Sequence, residues 1–216
     1  MKKICCVVLL LWALGAAAQN EKTGRPKHPP HNVVVTFNPL ALLNTDQRLM
    51  FGAEYRIKER ISLVADAGVV VNSGYMTQQG KTNGIELRPA LRYYYSRQGS
   101  GFIQGQLHYR AVNYKLHDWL GMACVNGVPT YEKLQDFTFQ KQQAGAALVT
   151  GGTERLGKHW LLDVSVGFGL VYRTQEVKGA ENCCYLPPDN FFGNASQNNM
   201  WLPIVPISVK LGYVIR

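Results

Sequence analysis

Beyond residue 32, apolar residues recur at every second position. That is the period of a β-strand with two unlike faces. The cleanest stretch is 159–174. Trp160, Leu162, Val164, Val166, Phe168, Leu170 and Tyr172 share one face, opposed by His159, Asp163, Ser165, Gly167, Gly169 and Arg173. The same alternation runs through 48–57, 61–72, 84–95 and 203–215. Weaker versions occupy 33–43, 102–115 and 137–152, the last without a clear facing. The mature chain shows no helical stripe, so the expected fold class is all-β with eight strands.

The connections between these strands alternate in length. Segments 44–47, 73–83, 116–136 and 175–202 fall at one end, and 58–60, 96–101 and 153–158 fall at the other. Long loops on one side and tight turns on the other suit an eight-stranded antiparallel up-and-down transmembrane β-barrel, with short periplasmic turns and long outer loops. Face parity favours pairing Ile57 with Ile61 and Tyr95 with Ile103, which would set Tyr93 across from Gly105. Alternation alone does not say which face is enclosed. A soluble, exported lipocalin-like binder of an apolar small molecule would put the apolar face inside, and a membrane barrel would put it outside. Strand length, loop asymmetry and aromatic residues near strand ends (Phe51, Tyr55, Tyr95, Trp160, Tyr172, Trp201, Tyr213) favour the membrane.

The segments NVVVTFNPLALL, FGAEYRIKERISLVADAG, GIELRPALRYYYS, FIQGQLHYR, ERLGKHWLLDVSVGFGLVYR and PISVKLGYVIR carry a resemblance. Together they resemble the small outer-membrane β-barrels of Bacteroidota, specifically the family catalogued as domain of unknown function 3575. The resemblance spans 32–216 outside the long loops. It implies a fold and a location, and no activity. The chain departs from the pattern by ending in Arg216, where such barrels usually end in an aromatic residue. Pro39, Pro89 and Pro206 also fall within strands, where each costs a ladder bond or marks a bulge.

The first eighteen residues read as a signal peptide. Lys2 and Lys3 precede an apolar run from Ile4 to Ala18, too short to span as a helix, that ends in an Ala-x-Ala site. Residues 19–32 are polar and proline-rich, a tether to a barrel domain at 33–216. Cleavage removes two lysines and no acid, taking the formal charge from +9 to +7. It also leaves three cysteines, Cys124, Cys183 and Cys184, all in expected outer loops. Export permits a disulfide between Cys124 and either of the others. Their spacing offers no set of four metal ligands, so neither metal nor cofactor is expected.

Candidate chemistry divides between lumen and loops. The polar faces would place Glu54, Asp66, Glu86 and Asp163 among Arg56, Arg88, Arg92, Arg110, Arg173 and Lys210. In so narrow a barrel these form a charge network that plugs the lumen. Trp119, Tyr131, Tyr185, Phe191 and Phe192 in loops 116–136 and 175–202 are candidates for recognition or for packing at the headgroups. The expected role is therefore structural or surface-interacting, in the outer membrane of a Gram-negative bacterium. The expected partners are outer-membrane lipid and lipopolysaccharide or a surface partner. Nucleic acid is not expected, and the expected state is a monomer. A lipid-modifying enzyme is the third reading. It lacks a Gly-x-Ser-x-Gly motif, and His159 and Ser165 are too far apart on one strand. His108 with Asp163 would need distant strands to meet across the lumen.

Overall fold

The computed structural model describes residues 33–73, 81–96, 100–126, 128–179, 183–184 and 199–215. The expected signal peptide and tether lie outside them. The strands are β1 (Val33–Phe37), β2 (Asp46–Lys58), β3 (Ile61–Ser73), β4 (Thr82–Tyr94), β5 (Gly101–Met122), β6 (Tyr131–Leu156), β7 (Trp160–Lys178), β8 (Cys183–Cys184), β9 (Asn199–Ile204) and β10 (Ile207–Ile215). All pairings are antiparallel. Each of β1 to β6 pairs with the next, β7 pairs with both β9 and β10, and the short β8 pairs with β5. β10 pairs with β1, Val33 opposite Ile215 and Phe37 opposite Leu211, so the hydrogen bonds return to where they began. β9 and β10 lie end to end against β7 in one register, Ile204 opposite Gly169 and Ile207 opposite Val166. They act as one strand, which makes the ring eight strands round.

The three prolines explain local departures from the expected elements. The strand expected over 33–43 stops at Phe37, because Pro39 opens a short 3-10 helix, Pro39–Leu43. Pro89 sits in β4 without shifting its register to β5: Leu87 pairs with Tyr109 and Ala90 with Gln106. Pro206 divides β9 from β10, and its carbonyl still accepts from the Gly167 amide at 2.9 Å. A tight turn joins β2 to β3 at 59–60, and the turn expected over 153–158 shrinks to 157–159 because β6 runs on to Leu156. Gly157 opens it at φ +87°, a value that favours glycine. The turn expected over 96–101 lies partly outside the described residues.

Two expected registers are corrected. A bulge between Arg56 and Lys58 pairs Lys58, not Ile57, with Ile61. Ile103 lies opposite Tyr93 rather than Tyr95, and Gly105 lies opposite Leu91. The second error is two residues, so the facing was right and only the stagger was wrong.

The larger correction concerns 116–136. It is not a long loop. β5 runs on to Met122, β6 begins at Tyr131, and the two stay in register to the tip. The sides exchange character on the way. Within the ring, β5 encloses Gln104, Gln106 and His108 and exposes Ile103, Leu107 and Tyr109. Beyond Ala111 the enclosed side becomes Val112, Tyr114, Leu116 and Leu120, while Asn113, Lys115 and His117 face outward. β6 changes likewise, from outward Leu148 and Ala146 to outward Gln142, Gln140 and Thr138 over buried Phe139 and Phe137. The buried apolar residues of this extension form one cluster with Val70, flanked by Met122 and Val177. The Tyr114 and Phe139 rings lie 5.9 Å apart, tilted by 33°.

This cluster holds the extension together as a hairpin, so it can fail alone. Replacing Phe137 and Phe139 by Ala removes contacts that typically contribute about 3–5 kcal/mol each. The expected result is rapid tryptic cleavage at Lys115, Lys133 or Lys141 with the ring below intact. Unchanged proteolysis would show that the cluster does not hold the hairpin.

Candidate functional site

Even-numbered positions of β2 to β5 and odd-numbered positions of β6 and β7 point into the ring. Every acid that the sequence reading assigned to the lumen is buried there: Glu54, Asp66, Glu86 and Asp163. The expected bases line the same space. They sort into linked clusters, and the contacts join strands that are not neighbours.

Arg92 on β4 is the centre of the first cluster and is 2 % exposed. Its Nη1 donates to Glu54 Oε2 on β2 at 3.0 Å and to Asp163 Oδ2 on β7 at 2.7 Å. Its Nε donates to Gln104 Oε1 on β5 at 2.9 Å. The guanidinium lies 3.7 Å from the Phe102 ring centre, a cation–π contact removed from water. The Tyr94 hydroxyl donates to Glu54 Oε1 at 2.6 Å, and Arg56 lies over the Tyr94 ring at 4.4 Å. Four strands are thus tied through one planar cation, whose fixed fork suits several acceptors at once.

Glu86 organises the second cluster. It pairs with Arg48 and Arg88, and His108 Nδ1 lies 3.6 Å from its Oε1. Asp46 pairs with Arg110 and accepts from the Tyr114 hydroxyl at 3.1 Å. Lys210 Nζ donates to Asp66 Oδ2 at 2.6 Å, joining β10 to β3. Arg173 is buried, but its Nη2 meets the Met200 sulfur at 3.2 Å rather than a carboxylate among the described residues. The pairing of His108 with Asp163 weighed for an enzyme is not formed. Asp163 serves Arg92, and His108 sits beside Glu86.

Asp46, Arg48, Tyr94, Tyr114, His108 and Lys141 belong to this interior, and the lumen set read from the sequence lacked them. Even parity on β2 reaches back through Arg48 to Asp46 once the strand is started two residues earlier. Lys141 was hidden by the weak alternation of 137–152, where it shares the enclosed side with Val149 and Ala147 on one flank and Phe139 and Phe137 on the other.

The loop candidates fare differently. Trp119 and Tyr131 lie on the extension strands, exposed, and not in a loop. Tyr185, Phe191 and Phe192 lie outside the described residues. Cys124 is disulfide-bonded. The backbone of Cys183–Cys184 pairs with Met122 and Gly121, two residues short of Cys124. Among the described residues, no group of three His, Cys, Asp or Glu could hold a metal ion.

Around the outside of the ring runs a belt of exposed apolar side chains, Leu63, Leu107, Leu148 and Phe168 among them. Aromatic pairs stand towards its two ends. Trp160 and Tyr213 meet at 5.4 Å near the tight turns, and Tyr172 and Trp201 meet at 5.4 Å below the extension.

Arg92 gives the sharpest test of the network. Arg92→Met strands two buried carboxylates, a class of change that costs about 3–5 kcal/mol. The expected outcome is a clear fall in the urea midpoint. Adding Glu54→Gln and Asp163→Asn should recover part of the loss, whereas additive losses would mean that the groups are not coupled.

A family model described as "Protein of unknown function (DUF3575)" matches residues 6–215, so the chain belongs to that family. No curated protein and no solved structure matches it.

Proposed function

We propose that this member of the DUF3575 family is a monomeric integral outer-membrane β-barrel with a structural or surface-interaction role. In this reading it is exported by a cleaved signal peptide. Its lumen is plugged by the charge network, and its extension and outer loops meet the surroundings.

The observation that carries the reading is the change of the outward face along β5, β6 and β7. On all three the outward face turns from apolar to polar: Leu107 and Tyr109 give way to Asn113, Lys115 and His117, Leu148 and Ala146 to Gln142, Gln140 and Thr138, and Leu170 and Tyr172 to Thr174, Glu176 and Lys178. On β5 the enclosed face changes the other way, from Gln104, Gln106 and His108 to Val112, Tyr114 and Leu116. One strand has one twist and one register, and a change of outside medium accounts for the change of the outward face. Hydrocarbon around the ring and water around the extension supply that change.

Dimensions agree. Trp160 and Tyr172 are twelve residues apart on β7. At ~3.3 Å per residue and a tilt of roughly 40° that is about 30 Å of height, the thickness of a hydrocarbon core. The aromatic pairs at those heights match interfacial girdles. A lipocalin-like binder needs an apolar enclosed face, whereas the Arg92, Glu86 and Lys210 pairs occupy it. That filled interior also argues against a solute channel.

Two measurements test the reading. The full chain should partition with outer membranes and migrate differently in SDS gels before and after boiling. Recovery as a soluble periplasmic protein with no heat shift would refute it. Separately, Leu107→Arg and Phe168→Arg place a charge on outward side chains that are 61 % and 60 % exposed. In a membrane such a charge costs about 2–4 kcal/mol near the midplane. At a water-facing site the same changes stay within about 0.5 kcal/mol. Reduced assembly of both variants is the expected result, and wild-type assembly would count against the belt facing lipid.

A further inference from the structure

We infer that a basic groove on the outer side of the extension binds the phosphate groups of outer-leaflet lipid headgroups. The inference rests on the membrane reading above and adds a partner and a place.

The groove has a volume of about 510 Å³, and Lys81, Lys115 and Lys178 line it with Thr138, His117 and Asp136. Strand register puts the three lysines in one row. The Lys115 amide donates to the Lys81 carbonyl at 3.1 Å. Lys115 pairs with Thr138, and Thr138 pairs with Lys178. The row therefore crosses four adjacent chain segments. At ~4.8 Å per gap it is about 14 Å wide, enough for a two-phosphate headgroup.

Charge favours an anion. Asp136 is the one lining carboxylate among the described residues, and three lysines outnumber it; His117 Nδ1 lies 2.7 Å from it, both side chains more than half exposed. Lys178 has Glu176 at 3.8 Å, but both side chains are more than half exposed, so that pair is weak. An ammonium row over a Thr hydroxyl offers phosphate both charge and a hydrogen-bond donor.

Height selects the lipid as the source. The belt ends at Ala111 on β5 and at Ala144 on β6, four and six residues below the row. With the same rise and tilt, the row stands roughly 10–15 Å above the hydrocarbon edge. A headgroup layer occupies about 5–8 Å on each side of the core. Lysine stems bent back along the sheet bring their ammonium groups down to it. A polybasic stretch at this height attracts anionic lipid, each Lys worth about fivefold in affinity.

The test is native mass spectrometry of the full chain in mild detergent, titrated with diphosphorylated lipid A and with its dephosphorylated form. Wild type should prefer the phosphorylated lipid at least about tenfold. The triple variant K81Q/K115Q/K178Q should lose that preference, while the Lys→Arg triple and a K58Q/K158Q control at the opposite rim should keep it. Single K115Q, an exposed change, should lose part of the preference even if the triple variant fails to fold. Equal binding by wild type and the Gln variants would overturn the inference. So would loss of the preference in excess inorganic phosphate, which would make the groove a site for a free anion. A heat-shifting membrane protein without phosphate preference sinks the groove alone. A protein soluble without detergent sinks the membrane reading and the groove with it.

Discussion

The short ladder between β1 and β10 is the contact on which the rest depends. Five residue pairs, Val33–Ile215 to Phe37–Leu211, join the two ends of the chain and leave the ring without an edge. An open sheet of this composition would present unpaired backbone groups beside an apolar surface, a template for aggregation in water and a large desolvation cost in lipid. Once closed, every strand of the ring has two neighbours. The backbone then asks nothing of the medium, and the outer side chains are free to be apolar.

Closure also creates the interior problem that the charge network answers. Eight strands enclose a space that side chains must fill. Phe102 and Tyr94 fill part of it with rings, at 6.0 Å and edge to face. Arg92 lies against the Phe102 ring and satisfies Glu54, Asp163 and Gln104 from one guanidinium. Taking these ions from water is costly, and only a multiply bonded arrangement offsets it. The same bonds brace opposite walls, β2 against β4 and β7, and β3 against β10. Rigidity across the lumen thus comes from long-range ion pairs, and rigidity around it from the ladders.

Much of this was legible as alternation. Eight strands, their order and the inward charges follow from period-2 patterning, because in a closed sheet parity alone assigns a side. Glu54, Asp66, Glu86, Arg92 and Asp163 were placed inside without any knowledge of stagger. Stagger itself was not legible. The bulge at Arg56–Lys58 and the two-residue offset of Ile103 leave parity almost untouched, so no sequence signal reports them. The extension was lost for a different reason. Its strands alternate as regularly as the ring's, with Val112, Tyr114 and Leu116 buried, but in the opposite phase. A scan for apolar residues on the same side as Leu107 and Tyr109 sees that phase change as the end of a strand.

That phase change separates two kinds of stability within one sheet. In the ring, the apolar side chains face outward, and ion pairs and ladders join the strands; if lipid surrounds it, as proposed, those side chains gain nothing from contact with one another. In the extension, Leu116, Leu120, Phe137 and Phe139 are withdrawn from water, and the ordinary hydrophobic effect holds it. The Tyr114 hydroxyl on Asp46, itself paired with Arg110, sits where the two regimes meet. Val112 lies just above and Arg110 just below on the same face of β5. A residue swap between the regimes, apolar below or charged above, would violate the local rule even though strand, side and secondary structure stayed the same. In the proposed membrane reading, the boundary between Arg110 and Val112 marks where the surroundings change. The groove of Lys81, Lys115 and Lys178 lies on the extension's side of that boundary.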